Sequence, residues 1–252
     1  AGFGASGQSN SENTALGNRA MEDVTTGGKN VAVGKYALNS MTTGHENVAI
    51  GRNAGSASEN TGYSVIIGSD ACAANMTADT DGTIAIGKGS LAALTTGGEN
   101  IAIGYLAMDA MQEGHNNIAL GHHAFGSANN SGSDRNIAIG NYALDATSTN
   151  AVADNLAIGY AALGAVTSGS YNVGIGSYAG DAITSGQYNV AIGYEALSAD
   201  DEGDSSTAIG YNALLRQNVG DGASNNTGVG KAAGLFNVTG TSNTYVGTGA
   251  GA

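Results

Sequence analysis

The chain has 252 residues, with 42 glycines, no proline, no tryptophan and one cysteine. Val, Ile, Leu and Phe together make up only about 17% of it, which is low for a compact core. The glycine spacing and the missing proline exclude collagen, and the lone Cys72 excludes a disulfide scaffold. The net charge of −13 disfavours binding to nucleic acid or to an anionic membrane surface. No apolar run is long enough to insert into a membrane.

An internal repeat runs through the chain. A unit with the consensus Asn-apolar-Ala-apolar-Gly recurs 14 times, with substitutions at the first three positions, and successive closing glycines are 17 residues apart in nine cases, 19 in three and 20 in one. This spacing predicts a parallel β-solenoid, or β-roll, of 14 rungs of 17–20 residues. The repeats cover about residues 13–252, so a single domain 1–252 is expected. The repeat glycines and asparagines that define the rungs include Gly34, Gly51, Gly104, Gly121, Gly140, Gly159, Gly176, Gly193, Asn47, Asn100, Asn117 and Asn136.

Each rung is predicted to start with a short strand, because apolar positions alternate on either side of a small residue. The residue before each closing glycine, such as Ile103 or Ile139, is aliphatic in all 14 rungs. We expect this column to line one continuous core, so that Ile103→Asp or Ile139→Asp unfolds neighbouring rungs. The residue between the two apolar ones is Ala or Gly in 12 rungs. It is expected to point away from that core, towards another layer of the same rung or a neighbouring chain.

The strand opens on Asn in 11 of the 14 rungs. Stacked Asn side chains can hydrogen-bond along a column, as they do in cross-β stacks. We therefore expect a structural ladder in these positions rather than catalytic or glycan-bearing residues.

A second segment follows each closing glycine. Apolar residues at offsets 3, 4 and 7 fit one face of a short helical turn, although a second strand remains an alternative. The extra residues of the longer rungs fall in the closing turn, which places the variable loops on one side. Cys72 occupies the offset-4 column and is expected to be a buried, inert thiol.

The strings N-V-A-I-G-R-N-A-G (residues 47–55), N-I-A-I-G-Y-L-A-M (100–108) and N-V-A-I-G-Y-E-A-L (189–197) resemble the head repeats of trimeric autotransporter adhesins. They look even more like the N-T-A-V-G-Y-x-A-L repeats of phage tail fibres and virion proteins. The resemblance spans about 240 residues. It implies a homotrimer, either intertwined or side by side, and a role in attachment.

Several residues were weighed as functional sites. Asp79 and Asp81 faintly resemble a calcium loop but lack its remaining ligands, and Asp200, Asp201, Glu202 and Asp204 form an acidic run in another turn. Both are interpreted as solvated turns, and no metal or other cofactor is expected. His122 and His123 are not expected to form a metal pair, because adjacent strand residues point to opposite faces. Tyr residues recur just after the closing glycine, where they can stack on sugars or pack between rungs or chains. The members of this tyrosine set are Tyr36, Tyr105, Tyr142, Tyr160, Tyr178, Tyr194 and Tyr211.

The function predicted from these features is a non-enzymatic segment of a viral or phage fibre, exposed on a virion surface or outside cells. The expected partners are further copies of the chain and a host or cell-surface receptor, for which a glycan is one candidate. Two alternatives remain open: the head of a bacterial adhesin, and, more remotely, a solenoid tailspike that cuts polysaccharide. Residue 1 is Ala rather than Met, so the chain is expected to be processed or to be a fragment of a longer fibre.

Overall fold

The computed structural model describes residues 12–127, 132–146 and 150–252. The fold is a parallel β-solenoid, which confirms the predicted repeat architecture. Chain contacts separate it into two compact units. The first unit extends to His123, and the second comprises Ala124–Ser127 and Ser133–Ala252.

The first unit contains seven parallel strands that pair in chain order. The register is rung on rung, so that Val48 pairs with Val65 and Ile101 with Ile118. The strands are β1 (Thr14–Leu16), β2 (Val31–Val33), β3 (Val48–Ile50), β4 (Val65–Ile67), β5 (Ile84–Ile86), β6 (Ile101–Ile103) and β7 (Ile118–Leu120).

The second unit contains a sheet of the same kind, and β12 and β14 pair separately in its closing turns. Its strands are β8 (Ile137–Ile139), β9 (Leu156–Ile158), β10 (Val173–Ile175), β11 (Val190–Ile192), β12 (Gly203–Asp204), β13 (Thr207–Ile209), β14 (Gly222–Ala223), β15 (Thr227–Val229) and β16 (Thr244–Val246).

The prediction of which strand residues point inward was wrong. The small middle residues, such as Ala102 and Ala138, are fully buried. The aliphatic residues on either side are at least partly exposed, and Ile103 reaches 39%. Ile103 and Ile139 therefore lie on the outside of a single chain, and a charge there does not enter its core.

The interior is filled by the second segment of each rung. Residues at offset 4, such as Leu163 and Leu214, are buried and reach the small strand residues of the next rung. An added Cβ at Gly174 would lie 2.7 Å from Leu163 Cγ, and one at Gly228 would lie 2.8 Å from Leu214 Cγ. The strand residue is small because the neighbouring leucine already occupies the space that a larger side chain would need.

Two rungs show the same rule in reverse. Ile66 replaces the usual alanine inside the coil, and Gly55 replaces the leucine opposite it; an added Cβ at Gly55 would lie 3.0 Å from Ile66 Cδ1. Tyr245 and Gly234 form a second large–small pair, with a distance of 2.6 Å from the added Cβ to Tyr245 Cδ2. In these two pairs the large side chain comes from the strand instead of the second segment.

The predicted helical turn in each rung is also wrong. Within the described residues there is no α-helix, and the only helical segment is a 3-10 turn at Ala78–Thr80. The second segment instead has left-handed residues at alternate positions, for example Tyr36 (φ 61°) and Leu38 (φ 47°). Its amides bond between rungs, as when Leu38 N donates to the Ala54 carbonyl at 3.0 Å. A left-handed residue at every second position prevents the successive right-handed φ/ψ values that a helix needs. The predicted turns over 128–131 and 147–149 lie outside the described residues.

Candidate interaction surfaces

The asparagine column forms a hydrogen-bonded ladder inside the coil. Asn47 donates its backbone N–H to Asn30 Oδ1 at 2.9 Å and its side-chain amide to the Thr61 carbonyl at 2.7 Å. Asn100 and Asn117 repeat the first bond at 3.0 Å. Each Asn thus satisfies backbone groups of adjacent rungs that would otherwise be buried without partners. The side chains of Asn30, Asn47, Asn100 and Asn117 connect adjacent rungs, and they are buried. They are therefore not accessible to a ligand.

The outer face of each sheet is an uncharged, mostly aliphatic surface. We define it as the first and third residues of β1–β7 in the first unit, and of β8, β9, β10, β11, β13, β15 and β16 in the second. All of these residues are Val, Ile, Leu or Thr, and none carries a charge. A sheet face that is solvated normally alternates to Thr, Lys or Glu. The outer face therefore differs in composition from a normally solvated sheet face.

Charged residues line one edge of this face, in the column just before the asparagines. Lys29 pairs with Glu46 at 3.1 Å, and Arg135 pairs with Asp154 at 2.8 Å. These are exposed pairs between successive rungs, so their contribution to stability is small. Both pairs connect the rungs of one chain and leave the adjacent face apolar.

The tyrosines after the closing glycines form a second exposed feature, and the two units differ. In the first unit cations lie over the rings: Lys35 Nζ is 4.8 Å from the Tyr36 ring centroid, and Lys88 Nζ is 5.7 Å from that of Tyr105. In the second unit successive rings contact one another. We call this set the Tyr ladder; it consists of Tyr142, Tyr160, Tyr178, Tyr194 and Tyr211.

The histidines are turn residues. His122 and His123 follow the closing glycine of β7 rather than lying in a strand, which corrects the geometry assumed for them. Their ring centroids are 4.7 Å apart, and His122 stacks on Tyr105 at 5.3 Å. His45 packs edge-on against Tyr63, with 4.9 Å between centroids. These contacts are aromatic, between residues of neighbouring rungs or adjacent positions.

The two acidic candidates lie in different surroundings. Asp79 is exposed in the 3-10 turn, whereas Asp81 Oδ1 accepts the Gly62 N–H at 2.6 Å. Among the described residues no three His, Cys, Asp or Glu side chains are grouped in a way that could hold a metal ion.

In the acidic run Asp200 is fully buried, so the prediction that the whole run is a solvated turn is wrong at this residue. Glu202, two residues later, is exposed. The position of Asp200 is the signal that was missed. It stands seven residues after Gly193, in the column that holds Met111 and Val166 in other rungs.

Cys72 lies in the core, at the position that Leu38 and Leu91 take in other rungs. Its burial raises the pKa of the thiol to about 12. The thiolate is therefore scarce at neutral pH, which makes Cys72 a poor nucleophile.

No helix among the described residues is long and apolar enough to cross a membrane. Comparison with known proteins found no family model, no curated protein and no solved structure that matches this chain.

Proposed function

We propose that this chain is a non-enzymatic segment of a virion or cell-surface fibre and that it works as a parallel homotrimer. The outer face carries this proposal. Uncharged, mostly β-branched side chains recur there in register from rung to rung, and they are only partly buried in the single chain. Covering them completes a burial that is worth about 1.5–3 kcal/mol for a whole side chain of this size.

One uncharged face per sheet favours an assembly in which several copies of the chain cover that face. Parallel copies that turn this face towards a common axis form a closed assembly, and closure is the usual outcome for identical chains. The resemblance to trimeric fibre and adhesin repeats supports the same number. In this arrangement the polar edges and the closing turns of each unit remain in contact with solvent.

The internal use of polar groups supports a structural role rather than an enzymatic one. Asp81 is bonded to a backbone amide, Asp200 to the side chain of Gln217, and the asparagines to neighbouring rungs. Each of these groups holds the coil together.

The test is the mass of the protein in solution at micromolar concentration. We expect three times the 24.7 kDa of the chain. The double variant Ile175→Asp, Ile192→Asp adds charges to the outer face and is expected to give folded monomers, because unpaired carboxylates are costly to bury. Circular dichroism checks that this variant is folded.

The matched control is Asn218→Asp, which adds a charge at an exposed position of a closing turn. It is expected to leave the mass unchanged. A wild-type monomer or dimer would contradict the homotrimer, and a trimeric double variant would contradict the assignment of the outer face.

A further inference from the structure

The Tyr ladder differs in chemistry from the outer face. Its ring centroids are 5.3–6.2 Å apart along four successive contacts. Tyr160, Tyr194 and Tyr211 are exposed by 45%, 42% and 51%. Tyr142 and Tyr178 are half-buried, so three of the five rings are well exposed to a ligand that lies along the rungs.

The rings do not form a continuous stack. Neighbouring planes meet at 78°, 69° and 85° from Tyr142 to Tyr194, and only Tyr194 and Tyr211 are near-parallel, at 12°. Because the ring planes change along the ladder, some tyrosines expose a ring face to solvent and others expose a ring edge. Ring faces are the part of tyrosine that stacks on apolar surfaces, while the hydroxyl provides a polar group beside them.

Polar groups are present in the same rungs as these rings. The Ser198 hydroxyl donates to Asp181 Oδ1, and Glu195 hydrogen-bonds Tyr194 and thereby raises the pKa of that phenol. Carboxylates are depleted from the centre of interfaces between proteins, which sets this surface apart from the outer face. Aromatic faces together with carboxylate and hydroxyl groups suit a ligand that has both C–H faces and hydroxyls.

We infer that the Tyr ladder binds a neutral polysaccharide that lies along the rungs, with sugar rings on the exposed tyrosines and hydroxyls bonded to Asp181, Glu195 and the phenols. The spacing of the rings is comparable to the length of one sugar in an extended chain. The second unit has ten Asp and Glu against three Lys and Arg, so it repels sulfated or uronic acid chains. Several weak contacts in a row then add up by avidity. This inference builds on the proposed surface-exposed fibre and names the ligand class.

The probes are three neutral oligosaccharides, cellohexaose, laminarihexaose and maltohexaose, with oligogalacturonate as the anionic comparison. Binding is followed by calorimetry and by tyrosine fluorescence, which tryptophan does not obscure because the chain has none. We expect at least one neutral probe to bind and oligogalacturonate to bind much more weakly. The triple variant Tyr160→Ala, Tyr194→Ala, Tyr211→Ala is expected to lose about tenfold or more in affinity.

The matched control is Tyr171→Ala with Tyr188→Ala. These tyrosines are exposed and stacked in the same unit, with centroids 5.1 Å apart, but they lie outside the ladder. They are expected to leave the affinity unchanged. Failure of all neutral probes, preference for the anionic one, or loss of affinity only in the control variant would overturn the inference.

The mass of each sample separates this inference from the proposed fibre. A monomer that binds sugar through the ladder would remove the trimer and keep the inference. A triple variant that falls apart into monomers would show that the ladder is a contact between chains and would overturn the inference. Shortening of a bound oligosaccharide would contradict the non-enzymatic role while supporting the ladder as its binding surface.

Discussion

Asp200 shows how one residue can alter the interior of the coil. Its carboxylate accepts bonds from Gln217 Nε2 and, at 3.4 Å, from the Val219 N–H. Gln217 also donates to Ser206 Oγ at 2.7 Å, in the rung where serine replaces the usual asparagine. Gln217 accepts a bond from Asn226 Nδ2 at 2.9 Å, so it bridges the gap in the asparagine ladder. The acid is thus part of a buried polar network.

Burial raises the pKa of the Asp200 carboxyl. The folded chain then holds a proton at pH values above the ordinary aspartate pKa of about 3.9, where the unfolded chain has released it. Folding takes up a proton in this window, so this residue lowers stability as pH rises through its folded pKa.

We predict that Asp200→Asn is more stable than the wild type at pH 7 and that the difference shrinks towards pH 4. The amide keeps an acceptor for Gln217 and removes the cost of a buried charge. Urea unfolding at both pH values measures this, with Asp221→Asn as an exposed control. A variant that is less stable than the wild type at pH 7 would contradict the argument.

At the scale of the rung, the closing glycine is the tightest element. Gly104 has a φ of +147°, and an added Cβ would lie 2.2 Å from the Gly121 carbonyl oxygen. The same approach to the next rung recurs at Gly34, Gly51 and Gly140, with 2.3–2.4 Å to that oxygen. The column is glycine because the backbones of successive rungs meet there.

We predict that Gly104→Ala lowers the free energy of unfolding by more than about 2 kcal/mol, because it combines an unfavourable φ with a backbone clash. Gly220→Ala separates the two effects. Gly220 has a φ of +76° with nothing within 4 Å of an added Cβ, so only the conformational cost of about 1–2 kcal/mol applies. Equal losses in the two variants, measured by urea unfolding, would argue against the clash.

The rung also shows what sequence patterns can predict. Strand positions follow from the recurrence of Asn and Gly, and the strands lie where that pattern places them. Alternation alone shows that a strand has two different faces, but it does not show which face is buried. Ile103 is larger than the alanine beside it, and this favoured the wrong face as the buried one. The pairing of Ile66 with Gly55 and of Tyr245 with Gly234 is the sequence signal for the true inner face. Gly55 also stands in the left-handed offset-4 column, with a φ of +59°.

Surface features were harder to predict. The tyrosine column is visible in the sequence. The neighbours of each ring differ between the units, and the sequence pattern did not predict them: cations lie over rings in the first unit, and rings contact rings in the second. Lys88 lies over Tyr105, whereas Tyr160 contacts Tyr178. A run of acids usually predicts a solvated turn, whereas the offset of Asp200 from Gly193 is the signal that indicates its burial.

At the scale of the whole molecule, stability comes from repetition. Each rung bonds mainly to its immediate neighbours through the strand, the asparagine ladder and the second segment, as is usual in solenoids. In the described residues, the interior is filled by packed Leu and Ala side chains and by hydrogen bonds between rungs.

We predict that EDTA leaves the melting temperature nearly unchanged, because the described rungs are held by these contacts and Asp81 is used by the Gly62 amide. Thermal unfolding followed by circular dichroism, with and without EDTA, is the measurement. A large drop that Ca²⁺ reverses would instead make Asp79 and Asp81 ligands.

In the proposed trimer, the uniformity of the outer face has a consequence for how the copies align. If one copy slides along another by a single rung, about 4.8 Å, most aliphatic side chains meet another aliphatic side chain. The shifted contacts are then nearly as favourable as the original ones. The interaction energy between two copies is therefore nearly the same after a shift of one rung. Their axial register then depends on the positions where the residue type of the outer face changes. Thr14 in the first unit is such a place, and so are Thr207, Thr227 and Thr244 in three successive rungs of the second unit, because threonine replaces an aliphatic residue there. A shift sets threonine hydroxyls against aliphatic side chains, which is unfavourable. These few threonines would therefore determine the axial register between the copies.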